Sequence, residues 1–170
     1  VKSGRYSAMD MFTDPSVSWT ELAGKRIGII GMGNIGSRVA KIAEAFGMDV
    51  CYYSTSGTGH CMEYPSLSLE ELLRTADVVS IHAPLNERTA GLIGEAELAL
   101  MKPTALLVNM GRGGIVDEKA LADAIDNKTI AGAALDVFVK EPLPADNPLL
   151  HVKYPERLRL APHAAWASVE

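Results

Sequence analysis

Short apolar runs alternate along the chain with stretches of helical periodicity. Runs that suit buried strands fall at residues 25–30 (Lys25-Arg26-Ile27-Gly28-Ile29-Ile30), 49–53, 77–81, 105–108, 130–137 and 157–160. Between the first two, Ile35, Val39, Ile42, Ala43 and Phe46 recur at helical spacing, and Gly47 is a natural stop. Ser68-Leu69-Glu70-Glu71 forms a capping box that opens a short helix to Thr75. His82-Ala83-Pro84 ends the third strand. A helix over 95–101 ends before Pro103, and Asp117 is an N-cap for a helix to Asp126. Strands alternating with helices predict an α/β fold: a doubly wound parallel sheet flanked by helices, in three αβα layers. Residues 54–65 form a loop rich in Ser, Thr and Gly. Residues 1–22 are polar and irregular, broken at Gly4 and Asp14-Pro15, and form a lead-in to a domain over 23–170.

Composition narrows the class. A chain of 170 residues, 48% hydrophobic and 22% charged, suffices for one domain with a full core. A net charge of -5 and a pI near 5.4 argue against nucleic acid as the main ligand. No apolar run approaches the ~18 residues of a membrane span, and no charged-then-apolar leader opens the chain. Cys51 and Cys61 lack metal spacing, so they read as reduced thiols of a cytoplasmic protein, and no metal site is expected. The chain opens on Val1 rather than Met, as a fragment would.

Gly31-Met32-Gly33-Asn34-Ile35-Gly36 fits G-x-G-x-x-G between a strand and a helix, the context in which the pattern binds a dinucleotide. Gly31 permits the tight turn, Gly33 lets a pyrophosphate approach the backbone, and Gly36 lets helix and strand pack closely. The helix N-terminus offers free N–H groups to the phosphates. This predicts a Rossmann-type fold. The acidic residue expected after the second strand is absent from Tyr52-Tyr53-Ser54-Thr55-Ser56. Ser54 can still bond a ribose, and no Arg or Lys follows in the loop; only His60 lies near. The reading leans to NAD(H) and leaves NADP(H) open.

Three strand ends carry further chemistry. Arg112 sits in Asn109-Met110-Gly111-Arg112-Gly113-Gly114, where a planar five-donor fork suits a carboxylate or carbonyl oxygen. His163 follows Pro162 after the last strand, and Glu141 follows the fifth. A carboxylate beside an imidazole favours its charged form and fixes its tautomer, making a proton donor. Asp136 reads either as a capping or turn residue or as a partner of the cofactor's carboxamide.

With these motifs in order, the chain resembles the nucleotide-binding domain of the D-isomer-specific 2-hydroxyacid dehydrogenases. The motifs are the glycine loop, His82-Ala83-Pro84-Leu85 with Thr89, the Asn109–Gly114 segment, Leu135-Asp136-Val137-Phe138 with Glu141-Pro142, and Pro162-His163. The similarity spans about residues 24–168. The ending His163-Ala164-Ala165-Trp166-Ala167-Ser168 resembles the glycerate dehydrogenase and hydroxypyruvate reductase branch. The resemblance implies hydride transfer between nicotinamide C4 and C2 of a small 2-keto or 2-hydroxy acid. Arg112 would hold the substrate, His163 would move the hydroxyl proton, and Glu141 would tune His163. It implies cofactor contacts at Gly31, Gly33, Asn34, Ile35, Gly36, Ser54, Ala83, Pro84, Thr89, Met110, Gly111, Asp136 and Ala165. It also implies a homodimer through this domain.

This sequence departs from the family at Ser54, usually acidic, and at Ala164, usually branched. The family builds its substrate domain from an N-terminal segment and a returning C-terminal helix, and the resemblance implies that this domain lies outside the 170 residues. An isolated cofactor domain would bind dinucleotide weakly and turn over little. An NAD(H)-sensing corepressor module on the same fold is the alternative, disfavoured by the lack of a basic or docking tail. A β-hydroxyacid dehydrogenase would share the glycine loop but not Gly111-Arg112-Gly113-Gly114.

Overall fold

The computed structural model describes residues 4, 6–14, 19–57 and 61–167. Most of residues 1–5, together with Pro15, His60 and Ser168, lie outside them. The described elements are β1 (Arg26–Ile30), α1 (Asn34–Ala45), β2 (Asp49–Tyr53), α2 (Leu69–Thr75), β3 (Val78–Ile81), α3 (Glu95–Leu100), β4 (Leu106–Asn109), α4 (Glu118–Asp126), β5 (Gly132–Leu135) and β6 (Leu158–Leu160). All strand pairs are parallel, in the order β2-β1-β3-β4-β5-β6. The order reverses between β1 and β3, so the carboxyl ends of these two strands open a crevice. An isolated bridge from Tyr52 to Ser66 extends the sheet beyond β2.

Alternate residues of a strand face opposite sides of a sheet. Ile27, Ile29, Val50 and Tyr52 cluster with Ala40 and Ala43 of α1 and with Met48 just after it. Ile30, Val79, Ile81, Leu107 and Leu135 join Leu72 and Leu73 of α2, Leu98 of α3, and Leu121 and Ile125 of α4. Helices thus lie on both faces, but unequally. On the α1 side, β4 to β6 present Leu106 at 45% exposure, half-buried Val108 and Ala134, and exposed Arg159.

Two expectations shift. The helix over 35–46 buries Gly36, Ala40 and Ala43, its small residues, which allow close approach to the sheet. Its large apolar residues Ile35, Ile42 and Phe46 are instead exposed at 60–65%. The fifth strand, expected over 130–137, is only Gly132–Leu135. Asp136 and the residues after it turn away to build the site. The expected capping box at Ser68 and Glu71 forms, as does the Asp117 cap on the Ala120 amide. Both cysteines are free thiols, and burial pushes the Cys51 thiol up to about 11. No helix among the described residues is long and apolar enough to cross a membrane.

Candidate active site

The parallel register carries the ends of all six strands to one edge. Three of those ends touch backbone to backbone. A Cβ on Gly31, whose φ is +95°, would lie 2.9 Å from the Ala83 backbone, and one on Gly111 would lie 2.9 Å from the Ala83 carbonyl oxygen. Ala83 is therefore wedged between the ends of β1 and β4, and Gly36 closes on the Gly31 carbonyl. These glycines are required by the protein's own packing.

Gly33 is different. Its φ of -86° suits any residue, and no protein atom lies within 4 Å of where its Cβ would stand. It is also the N-cap of α1, where no side chain caps the first-turn amides and no acidic residue occupies the first turn. Open space above a bare, uncapped helix start is what a pyrophosphate needs. A groove of about 590 Å³ runs over it, lined by Gly31, Met32 and Gly33, by Ser54 to Ser56 after β2, and by His82, Pro84 and Arg88. A dinucleotide therefore fits the residues present. The His82 ring bonds Ser80 through Nε2 at 2.9 Å, its Nδ1 is buried without a partner, and burial lowers its pKa.

The sequence-derived candidates divide here. Gly31, Gly33, Ser54 and Pro84 line the groove; Asn34 and Ile35 are exposed at the start of α1. Ala83 and Gly111 are buried and support it, while Met110 is 40% exposed at the end of β4. Thr89 is fully buried. Its hydroxyl donates to the Pro84 carbonyl at 2.6 Å and accepts from the Asn86 amide at 2.8 Å, so it shapes the loop rather than facing the groove. Asp136, 2% exposed, accepts from the Ala164 and Ala165 amides at 2.7 and 2.9 Å, the capping role among its two readings. This holds the turn Ala164–Trp166, with His163 ahead of it at φ 53°. A non-glycine residue at positive φ is uncommon, and a buried carboxylate holds this one in place.

At the other end, Glu141 reaches two partners. One oxygen accepts from the Phe138 amide at 2.9 Å, and the other lies 2.7 Å from His163 Nδ1. Nδ1–H then donates to the carboxylate, so Nε2 is the nitrogen without the proton in the neutral ring. Arg112 is exposed, with Nη1 donating to the Gly111 carbonyl at 2.8 Å. Buried Asn109 ties its loop, accepting from the Gly111 amide and donating to the Arg112 carbonyl, both at 3.0 Å. The His163 hydrogen bond, then the Phe138 amide, with lesser help from the charge of Arg112, hold the Glu141 carboxyl below the usual carboxylate range. Glu141 and His163 also line a second cavity of about 550 Å³ with Pro142, Leu150 and Pro162.

Sequence reasoning missed Glu118 and Arg88. Glu118 accepts from the Val139 amide and Asn147, both at 2.7 Å, and steadies the Glu141 loop. Arg88 reaches the groove from the loop after β3, 32 residues from its partner Ser56. No local spacing signals either contact. His60, expected near the ribose, lies outside the described residues.

The comparisons agree with this geometry. The family model described as D-isomer specific 2-hydroxyacid dehydrogenase, NAD binding domain, matches residues 1–165. A glyoxylate reductase from Aeropyrum pernix is 54% identical over 155 residues, which cover 88% of this chain and 45% of that protein. Among solved structures, an acyclic imino acid reductase in complex with NADPH and D-Arg aligns with a TM-score of 0.84 at 33% identity, over 99% of this chain and 52% of that one. A D-lactate dehydrogenase with NAD+ from Lactobacillus jensenii aligns at 0.79 with 35% identity, over 97% and 54%. The chain thus spans about half the length of these relatives.

A carboxyl held below its ordinary 4.5 contributes stability above that value, and the contribution is lost as pH falls through the folded value. Carbon-detected NMR of Glu141 should give a depressed midpoint that rises in His163→Ala. A midpoint unmoved by that substitution would contradict the pairing.

Proposed function

The chain belongs to the D-isomer-specific 2-hydroxyacid dehydrogenases as their NAD-binding domain, and we propose that its Arg112, His163 and Glu141 serve the reduction of a small 2-keto acid of glyoxylate or hydroxypyruvate size. The observation that carries this reading is the 2.7 Å pairing of His163 Nδ1 with Glu141, beside an arginine at the same sheet edge. The nicotinamide, when bound, supplies the hydride to C2 of the keto acid or takes it back from the hydroxy acid. Arg112 offers its remaining N–H donors to the substrate's carboxylate and carbonyl oxygen. As charge develops on that oxygen, His163 Nε2 gives it a proton, and Glu141 holds the ring in the tautomer that presents Nε2. Gly33 and the amides of the α1 start take the diphosphate. The name of the Aeropyrum relative supports the substrate size.

The second wall of the substrate cleft is proposed to come from a domain outside these 170 residues. The relatives' roughly double length and the uncovered α1-side face of β4 to β6 support this. A reducing, cytoplasmic setting suits the two free thiols. A homodimer through this domain is supported by the outward Ile35 and Ile42 of α1 and Phe46 at its C-cap, near 60% exposure each, with exposed Trp19 and Leu22 on the segment before β1.

In the full-length protein, Arg112→Ala should lower kcat/KM for hydroxypyruvate by about 10²–10³ while dinucleotide affinity holds. A rate within about twofold of the parent would refute the role of Arg112. Sedimentation should show a dimer that Ile42→Asp with Phe46→Glu dissociates; a parent that stays monomeric at every concentration would refute the interface.

A further inference from the structure

The adenosine end of the groove holds a cation that the chemistry at Arg112 and His163 does not use. After β2 the chain turns through Ser54-Thr55-Ser56-Gly57, with the Gly57 amide 3.4 Å from the Ser54 carbonyl and Gly57 at φ +80°. Across the groove, a second turn is fixed by its own side chains: Asn86 Oδ1 accepts from the Arg88 amide at 2.9 Å, and Thr89 Oγ1 accepts from the Asn86 amide at 2.8 Å. Arg88 spans the gap, and its Nη1 donates to the Ser56 carbonyl at 2.9 Å. That bond uses one of five guanidinium donors and fixes where the rest of the fork lies.

Position 54 directly follows β2, where a carboxylate would chelate the ribose hydroxyls and repel a phosphate. Here it is a serine, followed by Thr55 and Ser56; all three residues line the groove, and the Ser54 and Ser56 hydroxyls lie 3.1 Å apart. Arg88 is the one permanent cation among the described lining residues, since burial disfavours the charged form of His82. Glu87 also lines the groove and makes no hydrogen bond or ion pair among the described residues. Its charge works against an anion.

We propose that the groove's ribose end is a 2′-phosphate site, formed by Arg88 with the Ser54, Thr55 and Ser56 hydroxyls, and that the chain selects NADP(H) over NAD(H). This rests on the dinucleotide reading of the Gly33 loop and adds the cofactor's phosphorylation state to it. A guanidinium fork meets a phosphate through paired charge-assisted bonds, and the hydroxyls complete its oxygens. The fork is set in place by a backbone carbonyl, so less ordering is lost on binding.

Calorimetric titration of the chain with NADPH, NADH, 2′,5′-ADP and 5′-AMP at low salt tests this. NADPH should bind about tenfold or more tighter than NADH, and 2′,5′-ADP tighter than 5′-AMP. Arg88→Ala should remove about tenfold from NADPH, leave NADH within about twofold, and flatten the salt dependence. Glu87→Gln should strengthen NADPH, and Ser54→Asp should turn the preference toward NADH. Equal or tighter binding of NADH by the parent, or an equal loss for both cofactors in Arg88→Ala, would overturn the 2′-phosphate site and leave the dinucleotide reading standing. Failure of all four ligands to bind would overturn both.

Discussion

The end of the sheet edge that carries Arg112 and Glu141 depends on one backbone contact. A Cβ on Gly113 would stand 1.8 Å from the Phe138 carbonyl oxygen, so the loop bearing Arg112 lies directly on the loop bearing Glu141. No other residue permits that approach without moving one loop. The Phe138 amide, on the same residue, donates to Glu141, which in turn orients His163. Arginine, carboxylate and imidazole come from three strand ends, and this contact brings the first two loops together. Asp136 locks the third of them by capping the turn after His163.

Charge is placed with similar economy. The chain is acidic overall at -5, yet Arg88 lines the groove and Arg112 is exposed at the same sheet edge. Arg112 stands in the loop after β4, and Arg88 reaches Ser56 across the groove. Between them, an uncapped helix start supplies partial positive charge without a side chain. Arg88 and the bare helix start thus place positive charge along the groove of an acidic protein, opposed locally by Glu87, and positive charge so placed suits a ligand with anionic groups along its length.

Much of this was legible in the sequence because the signals were local. The glycine loop, the capping box at Ser68 and the Asp117 cap each declare themselves within a few residues. The pairing of His163 with Glu141 was legible only because both follow apolar runs, and a parallel sheet brings such ends together. What stayed hidden depends on tertiary approach. Arg88 meets Ser56 across the crevice, Thr89 turns inward to bond Pro84, and Ile35, Ile42 and Phe46 face outward. Their periodicity was right for a helix, but packing chose Gly36, Ala40 and Ala43 for the sheet because only small residues fit there. Asp136 caps the turn after His163 from 28 residues away, a contact that no local spacing signals.

The most direct test of the account is a crystal structure of the chain with a bound nicotinamide dinucleotide. The diphosphate should rest on the amides at the start of α1 above Gly33, with the adenosine ribose between Ser54 and Arg88 and the nicotinamide toward Arg112 and His163. A dinucleotide seated away from Gly33, or lying with its ends reversed, would contradict it.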